Sequence, residues 1–245
     1  MINSDGMNAE GKLLYEGKAK RVFASGKPHI LRVEFKNSLT AFNALKKGSF
    51  ENKGHINRDI ASLLFQELNK EGIASHWISN AGDVDMIVHE VKIIPLEVVV
   101  RNTLAGSTAK KLGIAEGNVL AKPLVEFYYK DDALADPFVS DDQILMMGIA
   151  TETEIQELKL LAQKINQTLK RIFAVAEIDL IDFKVEFGKD HQGRILLADE
   201  ITPDCCRLWD MKTQEKLDKD RFRRDLGNIK ESYEEVLRRL KGKLS

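Results

Sequence analysis

The clearest pattern of polar and apolar positions lies between Leu180 and Gly188, where charged and apolar side chains alternate. A period of two residues is typical of a β-strand with one apolar face. The other face would carry two carboxylates and one ammonium group, which are costly to bury unless they bind something. The apolar positions are Ile181, Phe183, Val185 and Phe187, and the charged positions are Asp182, Lys184 and Glu186.

A second apolar run predicts that this strand belongs to a hairpin. Residues 195–198 are apolar, follow a break at 188–193, and end in Asp199 and Glu200. A turn symmetric about residues 189–192 would place Asp199 opposite Asp182 and on the same face. Glu186 would then lie four residues from the partner of Asp199, about 13 Å at 3.3 Å per residue. A cation shared by Glu186 and Asp199 would need a shifted register, a bend, or a bridging water or second ion.

The N-terminal part predicts an antiparallel hairpin or meander with a basic turn. Short apolar runs flank Gly17-Lys18-Ala19-Lys20, and a further strand is predicted over 29–35. Lys18 and Lys20 could hold phosphate oxygens from one side, because glycine allows close backbone approach. Solvated lysines near a turn are the alternative. Neither GxxxxGK[ST] nor GxGxxG occurs.

Arg101 marks a second candidate anion site. A buried strand is predicted over 97–100, and the segment after Arg101 closes with Gly106-Ser107. A guanidinium, backbone amides and a hydroxyl suit a phosphate or carboxylate. The alternative is that Arg101 pairs with a structural carboxylate.

Residues 123–144 are expected to be rich in loops, and their acids lack the spacing of a calcium-binding EF-hand.

Helical periodicity predicts three packing segments. The first covers residues 56–70 and ends near Gly72. The second begins with a capping box formed by Thr151 and Glu154. The third lies within residues 216–244, and all three are explained by packing against a core.

Composition narrows the classes of protein. Of 245 residues, 43% are hydrophobic and 31% are charged, and the net charge of −1 gives no general attraction to nucleic acid. No apolar run approaches the roughly 18 residues that span a membrane, and the N-terminus resembles no signal peptide. We therefore expect a cytoplasmic protein with a mobile leader over residues 1–11, in which Met7 is an alternative start. The adjacent Cys205 and Cys206 are expected to be free thiols.

The candidate chemistry is phosphoryl transfer. Neither a zinc motif nor G-x-S-x-G occurs. Glu186 and Asp199 are oxygen ligands suited to Mg²⁺ shared with substrate phosphates, while lysines and arginines would hold the anions. Structural salt bridges explain any one of these residues, but explain the whole set less well. A small-molecule kinase and a nucleotide-binding regulatory protein would both fit such a set.

Four stretches resemble the SAICAR synthetase family: LYEGKAK at 14–20, PLEVVVRNTLAGS at 95–107, LIDFKVEFG at 180–188 and LADEITPDCCRLWD at 197–210. The similarity extends from about residue 13 to the C-terminus. It implies an α+β, two-lobed fold resembling ATP-grasp enzymes. An N-terminal antiparallel lobe over 12–91 would clamp the nucleotide phosphates, and a larger α/β lobe over 92–245 would hold the metal and substrate site. The resemblance also implies a homodimer.

The family resemblance implies a reaction and a set of site residues. ATP would phosphorylate the carboxylate of carboxyaminoimidazole ribonucleotide, and the amine of L-aspartate would displace phosphate to give SAICAR in purine biosynthesis. ATP and Mg²⁺ are the implied cofactors, with Mg²⁺ on Glu186 and Asp199. The implied catalytic residues are Lys184, Asp182 and Arg207. ATP would contact Lys18, Ala19, Lys20, Ile93, Glu186 and Asp199, and the other substrates would contact Arg101, Ser107, Asp136, Lys184 and Arg207.

Two departures from the family pattern affect these expectations. Asn37-Ser38 stands where many members have two aspartates, so this chain has no acid at these positions. Cys206 replaces a serine beside Arg207. Because a thiol is a weak hydrogen-bond donor, we expect a looser contact at Cys206 and a modest effect on substrate use.

Overall fold

The N-terminal strands form an antiparallel sheet and a separate two-stranded ribbon. The computed structural model describes residues 11–41 and 45–244, so Met7 and nearly all of the predicted leader, together with Phe42 and Asn43, lie outside it. The strands are β1 (Leu13–Glu16), β2 (Lys20–Ala24), β3 (Ile30–Phe35), β4 (Ser38–Ala41), β5 (Lys46–Ser49), β6 (Trp77–Ala81) and β7 (Asp85–His89). Five of them pair in the order β1-β2-β3-β7-β6, and β4 pairs with β5. The predicted meander is confirmed.

A second antiparallel sheet contains β8 (Lys92–Thr103), β9 (Val119–Tyr129), β10 (Phe138–Val139), β11 (Ile178–Lys189), β12 (Ile195–Ala198) and β13 (Cys206–Asp210). Its order is β10-β9-β8-β11-β12, and β13 pairs with β11. The expected loop-rich segment is partly wrong, because residues 123–129 belong to β9. Val125, Phe127 and Tyr129 alternate along that strand and pack in the core, which is the two-residue period of a strand.

Helices cover the apolar faces of the sheets. The predicted capping box is confirmed: the Glu154 backbone N–H donates to Thr151 Oγ1 at 3.3 Å, and the Thr151 N–H donates to Glu154 Oε2 at 3.0 Å. The predicted Gly106-Ser107 turn is the first turn of a short helix. The helices are α1 (Lys53–Lys70), α2 (Gly106–Leu112), α3 (Asp141–Met146), α4 (Glu152–Val175), α5 (Asp220–Arg223) and α6 (Ile229–Leu244), with a 3₁₀ turn at Asp132–Leu134.

One continuous apolar core joins the two sheets. Leu158, Ile165 and Leu169 of α4 pack on the second sheet, while Ile60 and Leu64 of α1 belong to the same cluster. α1 contacts β3 as well as α4 and α6. Burying this apolar surface therefore stabilises both sheets together.

The central strand β11 departs from strict alternation at one position. Its pairing with β13 shifts between Leu180 and Asp182. Phe183, Val185 and Phe187 pack in the main core as predicted, but Ile181 packs with Ala105 and Trp209 in a separate cluster. An irregularity of this kind inserts a residue and reorients the side chains around it, which the sequence pattern does not reveal.

A backbone seam also joins the two sheets. Ser75 forms an isolated parallel bridge with Leu197, the His76 N–H donates to the Leu197 carbonyl at 2.8 Å, and the Leu197 N–H donates to the Ala74 carbonyl at 3.1 Å. The His89 N–H of β7 donates in turn to the His76 carbonyl at 2.7 Å. The segment 74–76 thus links the N-terminal sheet to the strand that precedes Asp199.

Candidate active site

A cleft of about 610 Å³ lies between the two sheets. One wall is apolar, and the opposite floor carries charged side chains from the second sheet. The β1–β2 turn, residues 17–20, borders both regions. The apolar wall contains Val22, Leu31, Val33, Val88, Val91 and Ile93, and the charged floor contains Glu97, Lys130, Asp132, Asp136, Lys184, Glu186, Asp199 and Glu200.

The β1–β2 turn points its lysines toward the acids of the floor. The Gly17 N–H donates to the Lys20 carbonyl at 2.9 Å, which closes the turn. Lys20 pairs with Asp199 and, at 3.0 Å, with Glu200. Burial alone would lower the pKa of Lys20, but these carboxylates outweigh it and raise the pKa, so Lys20 stays cationic. Lys18 is more exposed and pairs with Asp132 at 2.7 Å.

The hairpin register brings Glu186 and Asp199 to the same cleft. Glu186 is paired with Ala198, so Asp199 follows the residue opposite Glu186 and does not lie opposite Asp182. The symmetric register was therefore wrong, and the shifted register is the correct alternative. Asp199 itself adopts a left-handed backbone conformation, φ 62°, immediately after β12. Such a conformation is uncommon for a residue other than glycine and is often found at functional sites.

Close approach of β8 to β11 requires glycine at position 188. A Cβ there would lie 2.7 Å from Val91 Cγ2, closer than nonbonded atoms tolerate. The pairing of the two strands is irregular between Glu186 and Gly188. Gly188 thus allows the residues before β8 to pack beside β11 at the cleft wall.

Lysines surround the two acids. Glu186 is buried, with Oε2 2.5 Å from Lys130 Nζ and Oε1 3.6 Å from Lys184 Nζ. Burial, followed by repulsion from Asp199, raises the pKa of Glu186. Burial would also raise the pKa of Asp199, but Lys20, Lys184 and Lys130 lower it to about 2. The two acids are therefore close enough to repel each other and are held in place by cations.

Lys184 is positioned by both its strand and the loop after β12. Its Nζ lies 2.5 Å from Glu97 Oε1, and its backbone N–H donates to the Cys205 carbonyl at 2.9 Å. β12 and β13 pair with the same edge of β11, so the loop 199–205 leaves the sheet between them. Burial would lower the pKa of Lys184, yet the attraction of Glu186, Glu97 and Asp199 raises it.

Arg101, Asp182 and Arg207 form a second group on the polar face of the sheet. Arg101 Nη1 lies 2.8 Å from Asp182 Oδ2, and Arg207 Nη1 lies 2.9 Å from the same oxygen. Arg101 Nε also contacts Glu126 Oε2 at 2.7 Å. Arg101 and Asp182 are each only 4% exposed. Arg101 therefore pairs with structural carboxylates, which is the alternative role stated for it above. Arg207 is less buried than Arg101.

Arg207 lies against the start of α2. A Cβ on Gly106 would overlap the Arg207 guanidinium, and Gly106 has φ 60°, so glycine is required for two reasons. Ser107 follows it on an exposed position. Arg207 Nε donates to Asp220 Oδ2 at 3.1 Å. Arg207 and Ser107 thus border the same patch.

Asp136 reaches the cleft from the segment after β9. Its backbone is left-handed, φ 47°, and its Oδ1 accepts from the Asp131 N–H at 3.0 Å. Ile93 lies on the apolar wall, and Ala19 belongs to the turn. The cleft therefore contains all the predicted ATP residues, together with Lys184 and Asp136, whereas Arg101, Asp182, Ser107 and Arg207 are not among its lining residues.

Several polar lining residues were not predicted as site residues, among them Glu200, Lys130 and His76. Glu200 and Lys130 contact Lys20 and Glu186, and their only sequence signal was that they adjoin charged residues that were singled out. His76 lies beside Lys20 and Asp199, where burial, followed by repulsion from Lys20, lowers its pKa to about 4. Nothing in the sequence indicated that His76 lies in the cleft, because its position depends on the backbone seam between the two sheets.

Cys206 is not among the residues that line the cleft. Its side chain is 2% exposed and packs in the main core, and the modest effect on substrate use stays a prediction. Neighbouring strand residues face opposite sides, which separates Cys206 from Arg207. Both cysteines are free, as predicted. Asn37 accepts a hydrogen bond from the Gly54 N–H at 2.9 Å and thereby helps to hold the start of α1.

Two negative observations apply to residues 11–41 and 45–244. There, no group of three or more histidine, cysteine, aspartate or glutamate side chains is arranged to hold a metal ion. No helix in those ranges combines the length and apolar character needed to cross a membrane.

Comparison with known proteins identifies the family of this chain and agrees with the fold. The sequence model of SAICAR synthetase matches residues 13–240. The phosphoribosylaminoimidazole-succinocarboxamide synthase of Shouchella clausii is 54% identical over 95% of this chain and 98% of its own. The crystal structure of the synthase from Ehrlichia chaffeensis has a TM-score of 0.92 and 45% identity, covering 94% of this chain and 98% of its own.

A SAICAR synthetase solved in complex with ADP is similar at a TM-score of 0.91 and 45% identity, covering 93% of this chain and 97% of its own. A match over nearly the full length, in sequence and in structure, leaves no large part of the chain outside the likeness. The chain belongs to the SAICAR synthetase family.

Proposed function

We propose that this protein is an ATP-dependent ligase that joins L-aspartate to carboxyaminoimidazole ribonucleotide, giving SAICAR, ADP and phosphate in purine biosynthesis. The observation that carries the proposal is the cleft in which a lysine-bearing turn faces Glu186 and Asp199. The family relatives named for this activity and the relative bound to ADP support it.

The reaction needs an activated carboxylate. A free carboxylate has no competent leaving group, whereas an acyl phosphate releases phosphate when an amine attacks its carbonyl carbon. Phosphoryl transfer from ATP to the ribonucleotide carboxylate would therefore precede attack by the amine of aspartate. A floor of fixed charges suits this sequence, because it stabilises charge that develops during transfer.

Different parts of the cleft would bind the phosphates and the adenine ring of ATP. Lys18, Ala19 and Lys20 would lie along the phosphates, since both ammonium groups point to the charged floor. The apolar wall around Ile93 would accept the adenine ring. Lys18 and Asp132 both line the cleft and form an exposed ion pair, so Lys18 would have to leave Asp132 when phosphates bind.

The remaining residues would hold the other substrates. Lys184 stays cationic and would orient the reacting carboxylate, and Asp136 would contact a hydrogen-bond donor of the substrate. Arg207 and Ser107 border a patch suited to a phosphate or carboxylate. Arg101 and Asp182 would act mainly by fixing the orientation of Arg207.

Glu186 and Asp199 fit a divalent cation that also binds ATP. They line one cleft, and burial, followed by repulsion from Asp199, raises the pKa of Glu186, so a cation between them would favour both carboxylates in their ionised form. Mg²⁺ usually takes one or two carboxylates and completes its shell with phosphates and water. When bound, it would neutralise charge on the transferring phosphoryl group.

Cellular context and assembly follow from the same proposal. We expect a cytoplasmic homodimer that uses small-molecule substrates and needs neither nucleic acid nor membrane. Light scattering on the purified protein tests the dimer.

Substrate omission tests the proposed reaction. Phosphate release is measured with ATP, Mg²⁺ and carboxyaminoimidazole ribonucleotide, with and without L-aspartate. A ligase releases phosphate at a steady rate only with aspartate and forms one succinocarboxamide per phosphate. Phosphate release at the same rate with and without aspartate favours a kinase. ATP binding without turnover favours a regulatory protein.

Neutral variants test the acids of the floor. Asp199→Asn and Glu186→Gln should each lower turnover at least about 100-fold, because stabilisation of charge in the transition state is lost. Asp179→Asn makes the same change on β11 outside the cleft and should retain normal turnover. Near-normal rates in both cleft variants would contradict the proposal that Glu186 and Asp199 bind Mg²⁺.

A further inference from the structure

Lys219 differs from the other sheltered lysines. In the described ranges, every other lysine that is not exposed has a side-chain ion pair with a carboxylate, whereas the Lys219 ammonium has no hydrogen bond or ion pair. Lys219 immediately precedes α5 and is only partly exposed. Sheltering an ammonium without a partner is costly, so a bound anion would lower its free energy.

The carboxylates near Lys219 are already engaged. Asp204 accepts from Lys53 Nζ at 2.5 Å and from the Tyr233 hydroxyl at 2.7 Å. Glu200 pairs with Lys20 at 3.0 Å and accepts from the Thr202 hydroxyl at 2.8 Å.

Asp220, the next residue, is shared as well. Its carboxylate accepts from Arg207 at 3.1 Å and from Arg223 at 2.6 Å. Burial lowers the pKa of Lys219; Asp204 and Glu200 oppose this shift, and Arg223 and Lys53 add to it by repulsion. Because Asp204, Glu200 and Asp220 are each paired with another cation, an additional anion beside Lys219 would be favoured.

Lys219 lies beside the loop that carries the cleft acids. Its backbone N–H donates to the Pro203 carbonyl at 3.1 Å. Two residues further along the loop, the Cys205 carbonyl accepts from the Lys184 N–H at 2.9 Å. Glu200, which lines the cleft, is close enough to Lys219 to influence its pKa. Lys219 thus lies near the cleft but does not belong to the β1–β2 turn.

The substrates carry more anionic groups than the predicted residues can hold. Besides ATP and the reacting carboxylate, the proposed reaction brings one ribonucleotide phosphate and two aspartate carboxylates. Arg101 is 4% exposed and its guanidinium is taken by Asp182 and Glu126, which leaves Arg207 and Ser107 for three groups.

We propose that Lys219 binds a carboxylate of the amino-acid substrate. This inference rests on the proposed ligase function, because that function supplies a dicarboxylate. A single ammonium forms a charge-assisted hydrogen bond to a carboxylate, and such a bond is strong in a sheltered place. Lys219 is a binding residue here and takes no part in bond making.

Kinetic constants for each substrate test the proposal. Lys219→Met should raise the KM for L-aspartate roughly 10- to 100-fold, as expected for loss of a hydrogen bond between charged groups, and leave the KM values for ATP and the ribonucleotide within about twofold. Lys219→Arg should recover much of the loss. Lys212→Met removes an exposed lysine that pairs with Glu177 and should change nothing.

Succinate provides a readout that does not depend on turnover of aspartate. It carries both carboxylates without the amine, and its binding to wild type and variants can be measured by calorimetry in the presence of ADP and ribonucleotide. Weaker succinate binding in Lys219→Met, with a normal melting temperature, supports the proposal. If Lys219→Met does not fold, Lys219→Gln is the replacement.

Three outcomes would overturn the assignment. An unchanged KM for aspartate would exclude Lys219 from the site, a change confined to the ribonucleotide would assign Lys219 to its phosphate, and a change confined to ATP would assign it to the nucleotide. Wild-type protein without any aspartate-dependent turnover would instead refute the proposed function, so the two failures are distinct.

Discussion

At the scale of single residues, Arg101 connects stability with substrate use. Its guanidinium is buried between Asp182 and Glu126, and Asp182 also holds Arg207. Removing one member of a buried ion-pair group leaves uncompensated charge, which usually costs more than the pair contributes. Arg101 should therefore affect folding as well as the orientation of Arg207.

The variant Arg101→Ala is expected to lower the free energy of unfolding by about 3–5 kcal/mol, because Glu126 loses its guanidinium partner. Urea unfolding measures the change. Arg171→Ala removes a guanidinium paired with Glu71 on the surface and should cost less than about 1 kcal/mol. Wild-type stability for Arg101→Ala together with weaker substrate binding would contradict a structural role.

Asp218 is a buried acid outside the cleft. Its Oδ2 accepts from the Leu208 N–H at 2.8 Å, and its Oδ1 accepts from the Asp220 N–H at 2.7 Å. Burial, followed by repulsion from Asp220, raises the pKa of Asp218 to about 7 despite these donors. The folded state consequently binds this proton more tightly than the unfolded state.

A raised pKa of an acid makes stability fall as pH rises. The contribution of the Asp218 proton is complete below the ordinary pKa of about 4 and is lost as pH rises through about 7. Asp218→Asn does not titrate, so the stability of wild type relative to this variant should decrease by about 2–3 kcal/mol between pH 5 and pH 8. Urea titrations at both pH values give this difference, and a constant difference would show that Asp218 is ionised throughout.

At the scale of elements, some features could be predicted because their causes are local. The capping box of α4 depends on Thr151 and Glu154, three residues apart. The β1–β2 hairpin depends on adjacent strands and one short turn. The register of the β11–β12 hairpin could not be predicted as easily.

Asp190 explains why the β11–β12 hairpin does not have the symmetric register expected from the sequence. Its Oδ1 accepts from the Gln192 and Arg194 N–H groups, both at 2.9 Å, and its Oδ2 accepts from Arg194 Nε at 2.8 Å. These bonds favour a turn over residues 190–194, so the centre moves toward the C-terminus. A shift of register changes which side chains lie opposite, and this is why Asp199 follows the partner of Glu186.

The capping box also gives a test of an element that is remote from the chemistry. Thr151→Ala removes the acceptor of the Glu154 N–H and should lower stability by about 1 kcal/mol, equivalent to about 2–4 °C in melting temperature. Thr153→Ala makes the same side-chain change within the first turn and should have little effect. Equal losses in the two variants would mean that the cap contributes nothing specific.

At the scale of the whole molecule, the apolar core joins both sheets through α1 and α4. Family resemblance predicted two lobes, but the amino-acid pattern could not reveal how they pack. Lys20 and Asp199 are 179 positions apart, and their contact depends on every element between them. The charged composition of the site was predictable from sequence, whereas the pairing of Arg101 with Asp182 needed the structure.

A shared core predicts one cooperative unfolding transition. The chain has two tryptophans, Trp77 in β6 and Trp209 in β13, so each sheet carries its own fluorescent reporter. Trp77→Phe and Trp209→Phe leave one reporter each, and each variant should give coincident fluorescence and circular dichroism midpoints in urea. Fluorescence midpoints that depart from circular dichroism in opposite directions would mean that the sheets unfold independently.

The seam at residues 74–76 limits how the connection between α1 and β6 can vary. Surface connections usually tolerate insertions, because their backbone makes few obligatory contacts. Here Ala74, Ser75 and His76 pair with Leu197, two positions before Asp199. An added residue would slide this backbone along β12 and displace a cleft acid without altering a cleft side chain. The length of this connection is therefore part of the chemistry of the site.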